Sequence, residues 1–218
     1  MIKAVIFDMD GIIIDAELHW RKAETSIFGQ LGICLSPNLC ELTKLMKVSE
    51  ATDFWYRQKP WKFPILEVVE KELVSCIERD IADNGKALPG AIEMLRYFKE
   101  CGFKIALTSR YPLSTITAVM EKFDIEKYFD VLTSSEEVYK SKPSPLVYFH
   151  TLEKLRLMPG EVIAFDNSED GALAAVSAGI KSILVNQNEY IEDEKLIFSI
   201  IKLNSLLDYY KYITKNLI

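Results

Sequence analysis

The 218-residue chain has the composition of an ordinary globular protein, with 49% hydrophobic and 27% charged residues. Its length corresponds to one large domain or two small ones. The net charge of −6 provides no basic surface for nucleic acid, and no apolar run approaches the roughly 20 residues that a membrane-spanning helix requires. We therefore expect neither a nucleic-acid partner nor a membrane partner.

Cysteine usage indicates a reducing compartment. The four cysteines show no Cys-x-x-Cys spacing and only two histidines accompany them, so we expect neither a disulfide framework nor a structural zinc site. A strand pattern begins at residue 2, and we identify no signal peptide. These features predict a cytoplasmic protein, and we expect it to be a monomer.

The first predicted strand, over residues 2–8, ends in two carboxylates. Its apolar residues are typical of a strand buried on both faces of a parallel sheet, and Asp8 and Asp10 lie at the end where such sheets bind ligands. Two adjacent acids repel each other, so either a cation neutralises them or one stays protonated. Both arrangements suit phosphoryl transfer, in which one carboxylate attacks phosphorus and the other moves a proton. An acidic turn without chemistry is the alternative.

Residues 16–86 show helical spacing and no strand pattern. One helix is predicted over 16–32, and later helical segments are broken at Pro60 and Pro64. We therefore divide the chain into a core of residues 1–15 and 87–218 and an all-helical insert, the cap, of residues 16–86. A cap placed after the carboxyl end of a catalytic strand is well positioned to act as a lid.

From residue 87 onward, helices alternate with predicted strands, which implies βαβ units and an α/β fold with a parallel sheet. The later strands are predicted at residues 103–108, 129–133, 162–165 and 182–185.

Three further strand ends carry groups suited to phosphate chemistry. Ser109 offers a hydroxyl to a phosphate oxygen beside the next helix, and Lys142 is held extended by the following proline, which can aim its ammonium inward. The acidic run at residues 166–170 can supply oxygen ligands for Mg²⁺. Taken singly, these features are equally a helix cap, a surface lysine and an acidic first helical turn. Four such signals at four strand ends are hard to obtain by accident.

The chain resembles the haloacid dehalogenase superfamily, in its phosphatase and phosphomutase branch, over essentially its whole length. This resemblance implies a Rossmann-like, three-layer, doubly wound parallel sheet with the inserted helical cap, and Mg²⁺ as cofactor. It also implies an aspartyl nucleophile at Asp8 and an acid/base at Asp10. The matching motifs are Asp8 to Gly11, Ser109, Lys142 with Pro143, and Asp166 with Asn167.

The resemblance assigns the remaining site residues by group. The phosphate would be held by the backbone N–H groups of Met9 and Gly11 and by the side chains of Ser109, Arg110 and Lys142. The metal ligands would come from Asp8, Asp10, Asp166 and Asn167, and the cap would contact the substrate through Thr43 and Lys47.

Four positions depart from the pattern of such relatives. Leu146 follows Pro145 where an aspartate is common. Asn167 stands where a second acid usually contacts the metal, and an amide brings one negative charge less, so metal affinity should fall. Leu45 replaces a glycine of the substrate-specificity loop. Lys47 stands where a relative has arginine.

The cap segment 54–61 resembles that of bacterial sugar phosphatases that act on 2-deoxyglucose 6-phosphate and hexitol phosphates, and next that of the β-phosphoglucomutase group. We therefore expect a Mg²⁺-dependent phosphatase of small phosphorylated sugars or polyols that works through an aspartyl-phosphate. A hexose-phosphate mutase and a non-catalytic sugar-phosphate-binding relative are the alternatives.

Overall fold

A computed structural model describes residues 1–44, 46–185, 200–203 and 205–215. In these residues, six parallel strands form one sheet in the order β3-β2-β1-β4-β5-β6. This confirms the predicted α/β fold with a doubly wound parallel sheet. The strands are β1 (Ala4–Asp8), β2 (Lys104–Ser109), β3 (Val131–Ser134), β4 (Val162–Asp166), β5 (Lys181–Val185) and β6 (Ile200–Leu203).

Helices cover both faces of the sheet. Side chains of a strand alternate between the two faces, and those of β1 up to Phe7 are apolar on both, so each face packs against helices. Val5 and Phe7 of β1 pack into the larger hydrophobic cluster, with helices α5, α6 and α9. Ala4 and Ile6 point into a second cluster, with α7 and α8. The three layers are therefore confirmed. These helices are α5 (Ala91–Glu100), α6 (Leu113–Phe123), α7 (Leu146–Leu155), α8 (Glu169–Ser177) and α9 (Leu206–Lys215).

Between β1 and α5, the residues that the structure describes form four helices and no named strand. The longest of them, α4, buries a stripe at helical spacing formed by Val69, Leu73, Ile77 and Ile81. The insert begins and ends at neighbouring backbone, since Ile14 and Ala87 form an antiparallel bridge. The division into core and cap domains stays a prediction. The helices are α1 (Ala16–Gln30), α2 (Pro37–Thr43), α3 (Val48–Gln58) and α4 (Leu66–Asn84).

The structure adds two elements that the sequence patterns did not predict, β6 and α9. It also ends β2 and β4 one residue later than predicted, so that Ser109 and Asp166 are the last residues of their strands. No helix among the described residues is both long and apolar enough to cross a membrane. The four cysteines are free.

The first and last helices of the cap are joined by a polar cluster around Asp80. The Nδ1 atom of His19 lies 2.5 Å from Asp80 Oδ2, and Lys22 and Asn84 donate to the same carboxylate at 3.0 and 2.7 Å. Burial alone would raise the pKa of Asp80, but the hydrogen bonds from His19, Lys22 and Asn84 outweigh it and lower this pKa to about 2. The ionised carboxylate therefore stabilises the packing of α1 on α4.

We expect Asp80→Asn to lower the melting temperature by a few degrees at neutral pH. The pKa of Asp80 is lower in the folded state than in the unfolded chain, so its stabilisation is complete above about pH 4 and is lost as the pH falls toward 2. The variant should therefore also show a shallower fall of melting temperature over that acidic range, as measured by circular dichroism. Asp53→Asn, which alters an exposed pair with Arg57, is the control. Equal acid slopes in Asp80→Asn and the wild type would contradict this assignment.

Candidate active site

The carboxyl ends of the central strands bring the predicted site residues together. Strands β2, β1 and β4 are adjacent in the sheet, and Asp8 lies opposite Thr108, directly before Ser109. Phe7 lies opposite Phe165, which places Asp8 beside Asp166. The order of the strands reverses between β1 and β4, so the site lies at the topological switch point, where open α/β sheets bind ligands.

Lys142 joins the two buried carboxylates at this point. Its Nζ atom lies 2.7 Å from Asp8 Oδ1 and 2.7 Å from Asp166 Oδ2. Burial favours the neutral amine, but the negative charges of Asp166 and Asp8 outweigh it and raise the pKa of Lys142 well above its usual value. The Tyr148 hydroxyl donates to Asp166 at 2.9 Å. Lys142 is therefore a fixed cation beside the predicted nucleophile.

The site carries more negative charge than Lys142 can balance. Burial, together with the charges of Asp166 and Asp10, raises the pKa of Asp8 to about 7 against the lowering effect of Lys142. Burial also raises the pKa of Asp10, although Arg110 opposes it. Without a further cation, Asp8 would be only partly ionised at neutral pH, and a carboxylate nucleophile must be ionised.

Asp10 connects the end of β1 to the first helix of the cap. Its Oδ1 atom accepts hydrogen bonds from the backbone N–H groups of Ala16 at 2.8 Å and Glu17 at 3.0 Å. Its Oδ2 atom accepts one from Arg110 at 3.0 Å. The Arg110 guanidinium lies 5.3 Å from the ring centroid of Trp20. Asp10 is thus held where core and cap meet.

A cavity of about 430 Å³ opens at this edge of the sheet, beneath the cap. Five of the predicted site residues line it, namely Asp8, Asp10, Arg110, Lys142 and Asn167. Of the other lining residues, Ser168, Glu169 and Asp170 belong to the acidic run 166–170 that the sequence already offered to Mg²⁺. The sequence did not assign the rest, although Ser135 directly follows β3 and lies at a strand end like the predicted residues. The rest are Glu17, Glu41, Lys44, Ser135 and Ser141.

The remaining predicted core residues lie just behind the cavity wall. Ser109 is buried, and its Oγ atom accepts a hydrogen bond from the Tyr111 N–H at 3.1 Å. Asp166 accepts hydrogen bonds at both oxygens, from Lys142 and Tyr148 at one and from Ser168 at the other. Asp166 therefore holds Lys142 in place and does not line the cavity as a metal ligand would.

The turn after β1 leaves no room for a side chain. Gly11 has φ of +70°, and a Cβ atom added there would lie 1.8 Å from the side-chain nitrogen of Asn167. Met9 is fully buried beside it. The turn after β1 and the side chain of Asn167 are therefore packed directly on each other.

Neither predicted substrate residue of the cap lines the cavity. Thr43 is buried inside the cap, where its hydroxyl donates to Glu24 at 2.6 Å, and Trp55 donates to the same carboxylate oxygen at 2.8 Å. The Nζ atom of Lys47 contacts the carbonyl oxygen of Val138 at 2.5 Å. Leu45 lies outside the described residues. The cap residues that do line the cavity are Glu17, Glu41 and Lys44.

The donor set of the cavity fits a hard divalent cation. Carboxylates and side-chain amides are the oxygen donors that Mg²⁺ binds, and Asp8, Asp10, Asn167 and Asp170 all line the cavity. Among the described residues, no three Asp, Glu, His or Cys side chains form a metal cluster by themselves. An amide or backbone oxygen would therefore have to complete the coordination shell, which is consistent with a role for Asn167.

Comparisons with known proteins agree with this geometry. A family model described as haloacid dehalogenase-like hydrolase matches residues 5–185. The chain belongs to the haloacid dehalogenase-like hydrolases. It is 34% identical over 209 residues to hexitol phosphatase B of Escherichia coli strain K12, covering 95% of this chain and 94% of that protein.

Two further relatives support the family. The chain is 31% identical over 182 residues to a phosphorylated carbohydrates phosphatase of Thermotoga maritima, covering 83% of each chain. The crystal structure of a putative β-phosphoglucomutase from Thermotoga maritima is similar, with a TM-score of 0.73 and 27% identity, covering 98% of this chain and 99% of that one. We therefore assign the chain to the phosphoric monoester hydrolases of this family.

We expect Gly11→Ala to lower the rate of phosphate release from an aryl phosphate by more than about tenfold, because the new Cβ atom must displace Asn167. Gly102→Ala is the matched control, since Gly102 has φ of +79° but no atom within 4 Å of an added Cβ. Both variants carry the same backbone strain, so a comparable loss of activity in the two would contradict the packing argument. A colorimetric phosphate assay at matched folded fraction measures the difference.

Proposed function

We propose that the chain is a Mg²⁺-dependent phosphatase of small phosphorylated sugars or polyols that acts through an aspartyl-phosphate at Asp8. The observation that carries this proposal is the contact of the Asp8 carboxylate with the Lys142 ammonium in a cavity that residues of the cap help to line. A nucleophile and a fixed cation at one point are what phosphoryl transfer requires, because charge spreads over the phosphate oxygens in the transition state.

In this mechanism the Asp8 carboxylate attacks phosphorus, and the bond from phosphorus to the ester oxygen breaks. Asp10 gives its proton to the leaving alkoxide, and the raised pKa of its carboxyl suits it to hold that proton. Asp10 then removes a proton from water, which attacks phosphorus and releases Asp8. Lys142 neutralises a phosphate oxygen in both steps, and the Ser109 hydroxyl donates to another. The N–H groups of Met9 and Gly11 donate to the Thr108 and Ile14 carbonyl oxygens at 3.1 and 2.7 Å, so the structure does not direct them at the phosphate.

Arg110 has unused hydrogen-bonding capacity next to the cavity. Its Nε and Nη1 atoms are buried and lack a hydrogen-bond partner within the part of the chain that the structure describes. A buried guanidinium with unpaired N–H groups favours an anion, which supports its predicted contact with the phosphate.

Mg²⁺ would be held by Asp8, Asp10 and Asn167, with Asp170 nearby. When bound, it supplies positive charge to the phosphate oxygens and keeps Asp8 ionised. Burial, with the charges of Asp166 and Asp10, raises the pKa of Asp8 to about 7, and the need for a cation that restores the ionised form supports this assignment.

The substrate class rests on the cavity and on the relatives. The cap contributes Glu17, Glu41 and Lys44 to the lining, and these side chains can form hydrogen bonds with several hydroxyl groups at once. A hexitol phosphatase and a phosphorylated carbohydrates phosphatase are both similar to this chain over most of its length. A phosphate-release screen over a panel of sugar and polyol phosphates, with and without Mg²⁺, tests the proposal.

A hexose-phosphate mutase is the second candidate, favoured by the similarity to a putative β-phosphoglucomutase. In that reaction the phosphoryl group returns from Asp8 to a sugar hydroxyl and not to water. Incubation with glucose 1-phosphate and a bisphosphate activator separates the two functions, because a mutase yields an isomerised sugar phosphate and a phosphatase yields free phosphate.

We expect Asp8→Asn to lower phosphate release by at least about a thousandfold, because an amide cannot form the aspartyl-phosphate. Asp15→Asn is the control, since Asp15 is the exposed N-cap of α1 and Asn caps helices equally well. Steady-state rates on the best substrate of the screen provide the measurement. Wild-type turnover in Asp8→Asn would refute the nucleophile assignment.

We expect Asn167→Asp to lower the Mg²⁺ concentration for half-maximal activity by about tenfold, because a carboxylate restores the missing negative charge. Asn38→Asp, an exposed change of equal charge, should leave that concentration unchanged. Calorimetric titration with Mg²⁺ gives the same comparison without turnover. An unaltered Mg²⁺ affinity in Asn167→Asp would exclude this residue as a ligand.

A further inference from the structure

The cap also contacts the core at the start of α3, through residues other than those around Asp10. The Nζ atom of Lys47 lies 2.5 Å from the Val138 carbonyl oxygen. The Ser141 hydroxyl donates to Glu50 Oε2 at 3.0 Å. Both contacts join the start of α3 to the segment between β3 and Lys142. We call these four residues, Lys47, Glu50, Val138 and Ser141, the cap latch.

One carboxylate oxygen serves two purposes in the cap latch. Glu50 Oε2 accepts the backbone N–H of Lys47 at 2.9 Å and so caps the first turn of α3. The same oxygen accepts the Ser141 hydroxyl. Lys47 and Ser141 are at most 9% exposed, whereas Glu50 is exposed, so two buried donors hold a carboxylate that stays in contact with water. The orientation of α3 is therefore tied to the position of Ser141.

The cap latch lies one residue away from the phosphate site. Ser141 directly precedes Lys142, whose ammonium contacts Asp8 and Asp166. Segment 138–142 is thus held by the cap at Val138 and Ser141 and by the buried carboxylates at Lys142. Ser141 also lines the cavity. A displacement of α3 would pull on this segment and move Lys142 relative to Asp8.

We propose that Lys47, Glu50 and Ser141 are positioning residues that hold Lys142 against Asp8 when the cap is docked. Docking of the cap on segment 138–142 then sets how accurately the Lys142 ammonium is placed beside Asp8, in addition to the contacts that Asp8 and Asp166 make with it. This inference rests on the role of Lys142 in the proposed function. It also gives Lys47 a role as a contact between cap and core and not as a substrate ligand.

Ser141→Ala tests the kinetic consequence, because it removes the contact and leaves the cap of α3 intact. We expect kcat and kcat/KM for the best sugar phosphate to fall together by about tenfold, with KM near the wild-type value. Ser141→Thr, which keeps the hydroxyl, should restore most of the rate. In a Glu50→Ala background, Ser141→Ala should lower kcat by less than about twofold further. Asp53→Ala, on the same helix but paired with Arg57 on the surface, is the control.

Hydrogen–deuterium exchange tests the cap latch without turnover. In Ser141→Ala, Glu50→Ala and Lys47→Met, we expect the backbone amides of segments 47–50 and 138–142 to exchange faster together, with no change in Asp53→Ala. A Lys47→Met variant that raises KM but leaves exchange at 138–142 unchanged would identify Lys47 as a substrate ligand and overturn the inference.

The possible failures are distinguishable. Additive losses of kcat in the double variant, or unchanged exchange at 138–142 in Ser141→Ala, would overturn the positioning role and leave the proposed function intact. A wild-type chain that releases no phosphate from any sugar phosphate would overturn the proposed function, and with it the kinetic role of the cap latch.

Discussion

Lys142 lies between two buried carboxylates, those of Asp8 and Asp166, at 2.7 Å from each. Two unpaired carboxylates in this position would each cost several kcal/mol of desolvation. The Lys142 ammonium offsets that cost, so it allows both carboxylates to stay buried in the folded protein. Lys142 and Arg110, which pairs with Asp10, together carry one charge less than Asp8, Asp10 and Asp166. The remaining negative charge favours a further cation in the cavity.

The sheet supplies the rigidity that such a pairing needs. Strand β1 is fully buried along its apolar residues and is flanked by β2 and β4 on its two edges. The rings of Phe7 and Phe165 stack with centroids 5.0 Å apart, directly before the acids at the ends of β1 and β4. Close packing of this kind restricts the movement of Asp8 and Asp166 relative to each other. The chemistry therefore depends on side chains that never touch the cavity.

Sequence patterns predicted the parts that depend on strand topology. Any parallel sheet gathers the carboxyl ends of its strands at one edge, so Asp8, Ser109, Lys142 and Asn167 could be grouped without knowing their contacts. The cap could not be treated this way, because the direction of each helical side chain depends on how the helices pack. Thr43 and Lys47 were assigned to the substrate from the resemblance alone, whereas in the structure they contact Glu24 and the Val138 carbonyl oxygen. The four residues of β6 formed too short an apolar run for a strand to be distinguished from a helix.

The bridge between Ile14 and Ala87 holds the two ends of the helical insert next to each other. The chain leaves the sheet and returns to it at adjacent backbone, with the Leu88 N–H donating to the Ile13 carbonyl oxygen at 2.8 Å. Any polypeptide whose two ends lie side by side can occupy the same position without changing the register of the strands. The cap can therefore diverge in length and sequence during evolution while the phosphatase chemistry of the core stays the same.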